Sequence, residues 1–481
     1  MRKWPRPGRA TERKASVRGL HWFRNDLRLA DNRSLEALAG RVDEWAGVFV
    51  LDPALLAGGP TLPRIRFLLD TLSRLSDRMA ERGIPLLIRR GRPEEVLPGL
   101  LRRLGARALS FGEAQTPFAE RRDARVVAAL ERDGVETIRM RDHGIFGPEE
   151  IRKGDGGHYS IFTPYRNAWW KAWHASPRWA AARLRLSARP IELPRSVSKG
   201  TLPRYPETPG LPSGGEAAAR RRLRLFLSRR VGRYASDRDQ PAIDGTSRLS
   251  PYLRFGVISA RRCFTAALSH AESHPEDVEG VGKWLDELIW REFYQMVLAH
   301  SPHVLSRSFR PEYDAIQWSG TDLQFEAWCE GRTGYPIVDA GMRQLRAHGW
   351  MHNRVRMVVA SFLTKDLLID WRRGERFFYE SLVDGDPASN NGGWQWAAST
   401  GTDAQPYFRI FNPVSQGERW DPEGVYVRRF VPDLRDVPDR FVHCPWKAPS
   451  PPPAYPAPIV DHAVQRERAL DAYRRARGAR G

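Results

Sequence analysis

The feature that most constrains this chain is a change of periodicity after its first third. Between Val17 and about Met140, short apolar runs alternate with amphipathic stretches, whereas beyond Gly214 the pattern is mainly helical. Val17–Phe23, Trp45–Leu51, Ile84–Ile88, Ala106–Phe111 and Val135–Ile138 have the length and composition of strands. Ile65–Arg82, Glu94–Leu104 and Phe118–Arg132 between them have helical spacing, with Pro63, Pro93 and Pro117 suited to helix starts. Strand–helix alternation implies parallel pairing with helices on both faces. Residues 17–145 are therefore predicted to form an α/β domain, doubly wound and Rossmann-like, with a mostly parallel five-stranded sheet. No Gly-x-Gly-x-x-Gly follows the first strand, so this domain is not expected to hold a cofactor in the ordinary dinucleotide manner.

Residues 146–212 are rich in Pro and Gly and read as an interdomain connector containing short helices. Residues 213–445 form a larger, all-α domain by pattern. Its candidate helices are Ala217–Gly232, Ser259–His270, Gly282–His300, Asp322–Gly331, Val338–His348, Asn353–Ile369 and Gly374–Leu382. The remainder, 446–481, is a Pro-rich stretch followed by a basic helix over Val464–Arg477. Residues 1–16 read as a flexible basic extension, without the apolar core of a secretory signal. No apolar run approaches the roughly 20 residues that span a bilayer.

Lys and Arg number 77 against 57 Asp and Glu, a net charge of +20 that attracts polyanions, nucleic acid foremost. Cys263, Cys329 and Cys444 lie far apart, which argues for a reducing compartment and against disulfides or a structural zinc site. No His-Glu-x-x-His helix is present, and no metal is expected.

Nine of the 17 tryptophans fall between Trp284 and Trp420, many beside polar residues. Any single one is most simply a core residue. Their company changes the reading. The run DGDPASNNGGWQWAASTGTD from Asp384 to Asp403 is too polar and too rich in glycine for a core helix. If buried, its amides and carboxylates must be satisfied, and a large polar-rimmed aromatic ligand would do so.

This run, with WLDELIWREF (Trp284–Phe293) and HNRVRM (His352–Met357), closely resembles the photolyase/cryptochrome family, and within it the class I cyclobutane-dimer enzymes. The likeness extends from WFRNDLR (Trp22–Arg28) to YPAPI (Tyr455–Ile459). It implies a helical domain that holds FAD, an N-terminal domain able to hold a light-harvesting antenna, and light-driven splitting of pyrimidine dimers in damaged DNA. A cryptochrome-like blue-light receptor without repair is the alternative. A cytoplasmic monomer is expected.

By that resemblance, the segment DGTSRLS (Asp244–Ser250) binds the diphosphate through Thr246, Ser247, Leu249 and Ser250, with Arg248 adding charge. An ordinary helix cap would use the same residues. Tyr234, Trp284 and Arg291 join the cofactor contacts, Arg356 pairs with Asp384, and Asp386 borders the isoalloxazine. Asn390 faces flavin N5, where plant cryptochromes carry an acid, so the amide favours repair and a fully reduced flavin.

Glu287 and Trp290 are three apart on a helix, and Asn353 and Met357 four apart, so each pair shares a face. Trp394 and Trp396, two apart, do not, so that one lines the lesion pocket while the other points inward. The resemblance gives Trp290, Met357 and Trp396 the thymine rings, Glu287 and Asn353 the polar base edges, and Arg354 the DNA backbone. Enzymes for the six-four photoproduct carry two histidines at the positions of Asn353 and Met357, so that substrate is not expected. Trp394, Trp371 and Trp318 resemble an electron-hopping chain to the surface; packed core tryptophans would look the same. FAERRD (Phe118–Asp123) lacks the Asn-Glu pair of folate-binding relatives, favouring a deazaflavin or FMN as antenna, with a folate or an empty site the alternatives. Arg24–Asn32 shapes the adjoining loop in every type.

Overall fold

A computed structural model describes residues 16–56, 59, 62–113, 116–181, 187–205, 210–404 and 406–478. The predicted N-terminal extension, but for Ser16, lies outside the described residues. The first region is a parallel sheet of β1 (Arg18–Trp22), β2 (Glu44–Leu51), β3 (Leu86–Arg90), β4 (Ala106–Gly112) and β5 (Glu136–Met140). Their order is β3-β2-β1-β4-β5, so the winding reverses beside β1. Helices α1 (Arg33–Ala39) and α2 (Pro63–Ala80) share one apolar core, while α3 (Pro93–Leu104) and α4 (Pro117–Arg132) share another on the opposite face. All but the first residue of β2 is buried, as follows when both faces of a sheet are covered. The strand reading of Ile84–Ile88 starts two residues early because Pro85 has no N–H for the ladder; its carbonyl accepts from Gly47 N at 2.9 Å.

The connector is packed rather than free. It contains α5 (Phe162–Ala175), and Arg189–Pro190 adds a two-residue parallel strand beside Glu44–Trp45.

The second region begins with α6 (Glu216–Arg229), α7 (Tyr234–Asp237), α8 (Ser250–Arg254), α9 (Ala260–Ser273) and α10 (Val278–His300). It continues through α11 (Asp322–Glu330), α12 (Pro336–His348), α13 (Asn353–Ser361), α14 (Trp371–Ser381) and α15 (Pro387–Ala397). The last helices are α16 (Pro413–Trp420), α17 (Val425–Phe430) and α18 (His462–Gly478). No described helix is long and apolar enough to cross a membrane.

Three sequence readings need correction. Helix α10 starts four residues before Gly282, because Gly280 is no helix breaker here: a Cβ there would lie 1.8 Å from the Val231 carbonyl oxygen. The helix predicted over Asn353–Ile369 stops at Ser361, and the chain widens into a π turn over Phe362–Asp366, closed by Leu367 N–H on Phe362 O at 3.0 Å. The polar run judged unfit for a core helix supplies all of α15; its Asp386 caps the start by accepting from Ala388 N and Ser389 N, Ser389 and Asn390 face a cavity, and the buried Asn391 and Gln395 amides both donate to the Val304 carbonyl.

Four buried ions lock the two regions together. Asp142, just past β5, receives guanidinium groups from Arg28 and from Arg261 of α9, and Arg261 also pairs with Asp31 at 3.1 Å. Arg28 Nη1 donates to the Gly256 carbonyl at 3.0 Å, and Leu27 N–H to that of Phe255 at 3.1 Å. Gly256 has φ +59°, and a Cβ on it would meet the Asn25 carbonyl oxygen at 1.8 Å, so the backbones meet directly. Removing one member strands a buried charge. Arg261→Ala should therefore lower stability by about 3–5 kcal/mol, read as a fall in the urea midpoint; an unchanged midpoint would refute the interlock.

Candidate active site

A cavity of about 490 Å³ opens in the helical region, within the usual range of about 300–1,000 Å³ for ligand sites. Helix α10 contributes Trp284, Glu287, Trp290 and Arg291; α13 contributes Asn353, Arg356 and Met357. Asn390, Trp394 and Trp396 come from α15, with Asp384 and Asp386 just before it. Tyr234 and the segment Thr246, Ser247, Arg248, Leu249 and Ser250 close the remaining side. The structure thus gathers every predicted cofactor contact, and all five predicted base-contacting residues, around one space.

Arg238, Arg248, Arg254, Arg291 and Arg356 line this space against Glu287, Asp384 and Asp386, five positive groups to three negative. That balance, with the hydroxyls of Thr246, Ser247 and Ser250, suits an anionic dinucleotide. Arg356 grips Asp384 with Nη2–Oδ2 at 3.0 Å, while its Nε donates to the Met351 carbonyl at 2.8 Å. Arg248 pairs with Asp244 at 3.0 Å and covers the Trp350 ring at 4.6 Å. Asn390 Nδ2 donates to the Glu375 carbonyl at 2.9 Å. Only the NH₂ can make that bond, so the amide is oriented and its oxygen is left as an acceptor.

Glu287 Oε1 accepts from Arg238 Nη1 at 2.6 Å. Burial raises its carboxyl above the usual range against the pull of that guanidinium. Trp290 stacks on Phe162 of α5, centroids 3.7 Å apart and planes 8° from parallel. Asn353 Nδ2 lies 3.8 Å from Met357 Sδ, the shared face expected from their spacing. Arg354 does not line the cavity; it pairs with Asp239 at 2.8 Å and covers Trp420 at 4.5 Å. The inward-versus-outward reading of Trp394 and Trp396 needs amending, since both border the cavity, the former buried and the latter partly exposed.

Trp394 packs edge-on against Phe378 at 5.0 Å and Trp328 at 6.0 Å. Trp371 is fully buried one turn before Gly374, whose backbone abuts the Trp394 ring. Trp318 packs against the same core and meets Tyr473 edge-on at 6.4 Å. All three tryptophans belong to or pack against one apolar cluster, and only Trp394 borders the cavity.

Sequence reasoning missed Arg238, Arg254, Phe162 and Glu375. Arg238 follows Tyr234 by one helical turn and was visible as a spacing; Phe162 arrives from the connector and had no local signal.

A second cavity, about 830 Å³, lies between the carboxyl ends of the strands and the helical region. It includes Trp22, Arg24, Arg122, Phe255 and Gln295, at the place where the sheet order reverses and open α/β sheets commonly take ligands. Arg24 pairs with Asp123, and the guanidinium groups of Arg24 and Arg122 stand 4.6 and 5.0 Å from the Trp22 ring. His21 holds Asp26 at 2.9 Å; burial opposes ionisation of that carboxyl, yet the imidazole's charge and hydrogen bond bring it down to about 2. Arg254 and Asp386, 3.8 Å apart, line both cavities and form the partition between them.

An α/β sheet region, a helical region with an arginine-rich cavity and a second cleft between the two define a recognisable class. Residues 19–182 match the DNA photolyase family model, and residues 284–475 match that of the FAD binding domain of DNA photolyase. A deoxyribodipyrimidine photo-lyase of Halobacterium salinarum is 42% identical over 95% of this chain and 99% of its own. A class III photolyase of Agrobacterium tumefaciens superposes with a TM-score of 0.90 at 35% identity, covering 98% of this chain and all of its own. An archaeal photolyase of Sulfolobus tokodaii, solved with two FAD molecules, gives 0.81 at 33% identity over 95% of this chain and 100% of its own. The chain belongs to the DNA photolyase family.

Glu375 offers a pH test of the wall behind Asn390. Burial pushes its carboxyl up to about 7, against the hydrogen bond from Asn391. Below about pH 4.5 it is protonated folded or unfolded; between there and 7 only the unfolded chain releases the proton, so rising pH costs stability. Glu375→Gln should therefore become increasingly more stable than the parent from about pH 4.5 to 7, with a constant difference above. Urea midpoints across pH measure it; parallel curves would contradict the burial.

Proposed function

We propose that this chain repairs DNA in the light, splitting cyclobutane pyrimidine dimers with the help of a fully reduced FAD. The single observation that carries the reading is continuity: the polar groups suited to FAD and the flat apolar side chains suited to a pyrimidine pair line the same cavity. When bound, the reduced flavin supplies the photoexcited electron that opens the dimer and accepts it back afterwards.

The residues divide the remaining work. Arg356, fixed by Asp384 and the Met351 carbonyl, together with Thr246, Ser247 and Ser250, would hold the dinucleotide. The oriented Asn390 amide offers an acceptor without a negative charge, which suits a protonated N5. Trp290, fixed by its stack on Phe162, and Trp396 and Met357 present apolar surfaces to the extruded pyrimidines. Glu287 stands among them with its proton affinity raised by burial, so its protonated form would donate to a base carbonyl that gains charge. Arg354, held between Asp239 and Trp420 outside the cavity, would hold the DNA backbone. Trp394, Trp371 and Trp318 would relay electrons from the surface when the cofactor needs reduction.

The photo-lyase names of the relatives, and an amide at Asn390, favour repair over a signalling receptor of the same fold. The second cavity would hold the antenna; its arginine-covered Trp22 suits a flat anionic chromophore such as a deazaflavin or FMN.

The test is illumination of the reduced, flavin-loaded protein with an oligonucleotide carrying one thymine dimer. The dimer should disappear in blue light and persist in the dark; survival in light would refute the reading. Trp290→Ala should cost about 1–3 kcal/mol in affinity for damaged DNA, roughly 5- to 150-fold, with far less change for undamaged DNA.

A further inference from the structure

Away from both cavities, the stretch after β5 and the end of α10 bring together three side chains of metal-binding type. Glu149, His158 and His300 each offer a ligand atom, and these atoms all lie within 4.8 Å of one another. The two imidazole rings are stacked, centroids 3.2 Å apart and planes 12° from parallel. His300 Nε2 lies 3.2 Å from the Pro148 carbonyl oxygen and 3.4 Å from a Glu149 carboxylate oxygen. His158 Nδ1 is shut off from solvent and has no hydrogen-bond partner. An unpartnered buried nitrogen is costly unless something fills its lone pair or takes its proton.

We propose that Glu149, His158 and His300 form a binding site for a divalent transition ion of the zinc type, with water in the fourth position. Two imidazoles and one carboxylate match zinc's preference, whereas magnesium and calcium favour all-oxygen sets. Zinc bonds of about 2.0–2.1 Å require ligand atoms roughly 3.3 Å apart; a Glu149 carboxylate oxygen already lies 3.4 Å from His300 Nε2, so binding requires mainly that the stacked rings fan open. Arg152, ion-paired to Glu149, must release it, and Lys153 stands close by; both weaken the site relative to closed four-ligand centres.

The ion would staple the connector to the helix that carries Glu287 and Trp290. Two residues past His158, the Ser160 carbonyl accepts from Asp403 N–H at 3.1 Å, and Phe162 then stacks on Trp290. The staple therefore braces the wall of the base pocket and takes no part in its chemistry. Ligands drawn from positions 149, 158 and 300 leave no motif in the sequence.

The test uses tag-free, flavin-loaded protein, stripped with a chelator and titrated with zinc chloride. One zinc per chain should bind, by elemental analysis after gel filtration, and saturating zinc should raise Tm by about 2–4 °C. Glu149→Gln and His158→Gln should each weaken zinc at least tenfold and abolish the rise in Tm. No bound zinc in the parent, or equal zinc in parent and variants, would overturn the proposal. Should His158→Gln fail to fold, the exposed Glu149→Gln carries the same test alone.

Discussion

Everything in this molecule depends on a buried ionic cluster at the domain junction. Arg28, Asp31, Asp142 and Arg261 are each nearly inaccessible, and they pair across elements that come from both regions. Taking four ions out of water costs several kcal/mol apiece, recovered only when the geometry is close to ideal. Such a cluster does little for net stability compared with an apolar patch of the same size. Its consequence is registration: the Arg28–Asp142, Arg261–Asp142 and Arg261–Asp31 pairs form together only in one placement of sheet against helices. Glu292 reinforces that placement, its two oxygens accepting from Ile145 N, Phe146 N and Trp169 Nε1.

Registration matters because the two cavities share a wall. Arg254 and Asp386 face both spaces, and Asp386 is also the cap of α15. A slip of the sheet by even one residue would move Trp22 and Arg24 relative to that wall. The same helix end therefore fixes the partition, the Asn390 amide and the two tryptophans beyond it. This explains why a helix with such poor intrinsic propensity exists at all. Adjacent glycines at Gly392 and Gly393 weaken it, yet Gly392 must admit the Tyr294 ring, whose atoms would lie 2.1 Å from a Cβ. Tertiary packing and the Asp386 cap overcome the local preference.

Much of this was legible in the chain. The strand–helix alternation survives because its signal is periodic and local: buried β2 and amphipathic α2 and α3 sit where the pattern put them. The cavity residues were legible only through resemblance, since nothing in Asn390 or Met357 alone announces a ligand. What failed was whatever depends on distant partners. The first turn of α10 was missed where Gly280 lies against the Val231 carbonyl, a contact remote in sequence. The π turn after Ser361 arises where Lys365 is buried against Ser399 and Tyr473, contacts remote in sequence. Phe162 backs Trp290 from the connector, a packing that no local periodicity encodes. The Asp386-Pro387 pair was a readable helix start that the surrounding polarity masked.

The central claim is that a reduced flavin in this cavity stands directly against the bound lesion. Its most direct test is the fluorescence lifetime of the reduced flavin in the purified protein, measured with two oligonucleotides that differ only in one thymine dimer. The account predicts a markedly shortened lifetime with the dimer, lost in Trp396→Ala as the lesion loses its seat. Identical lifetimes with damaged and undamaged strands, under conditions where both are bound, would contradict it.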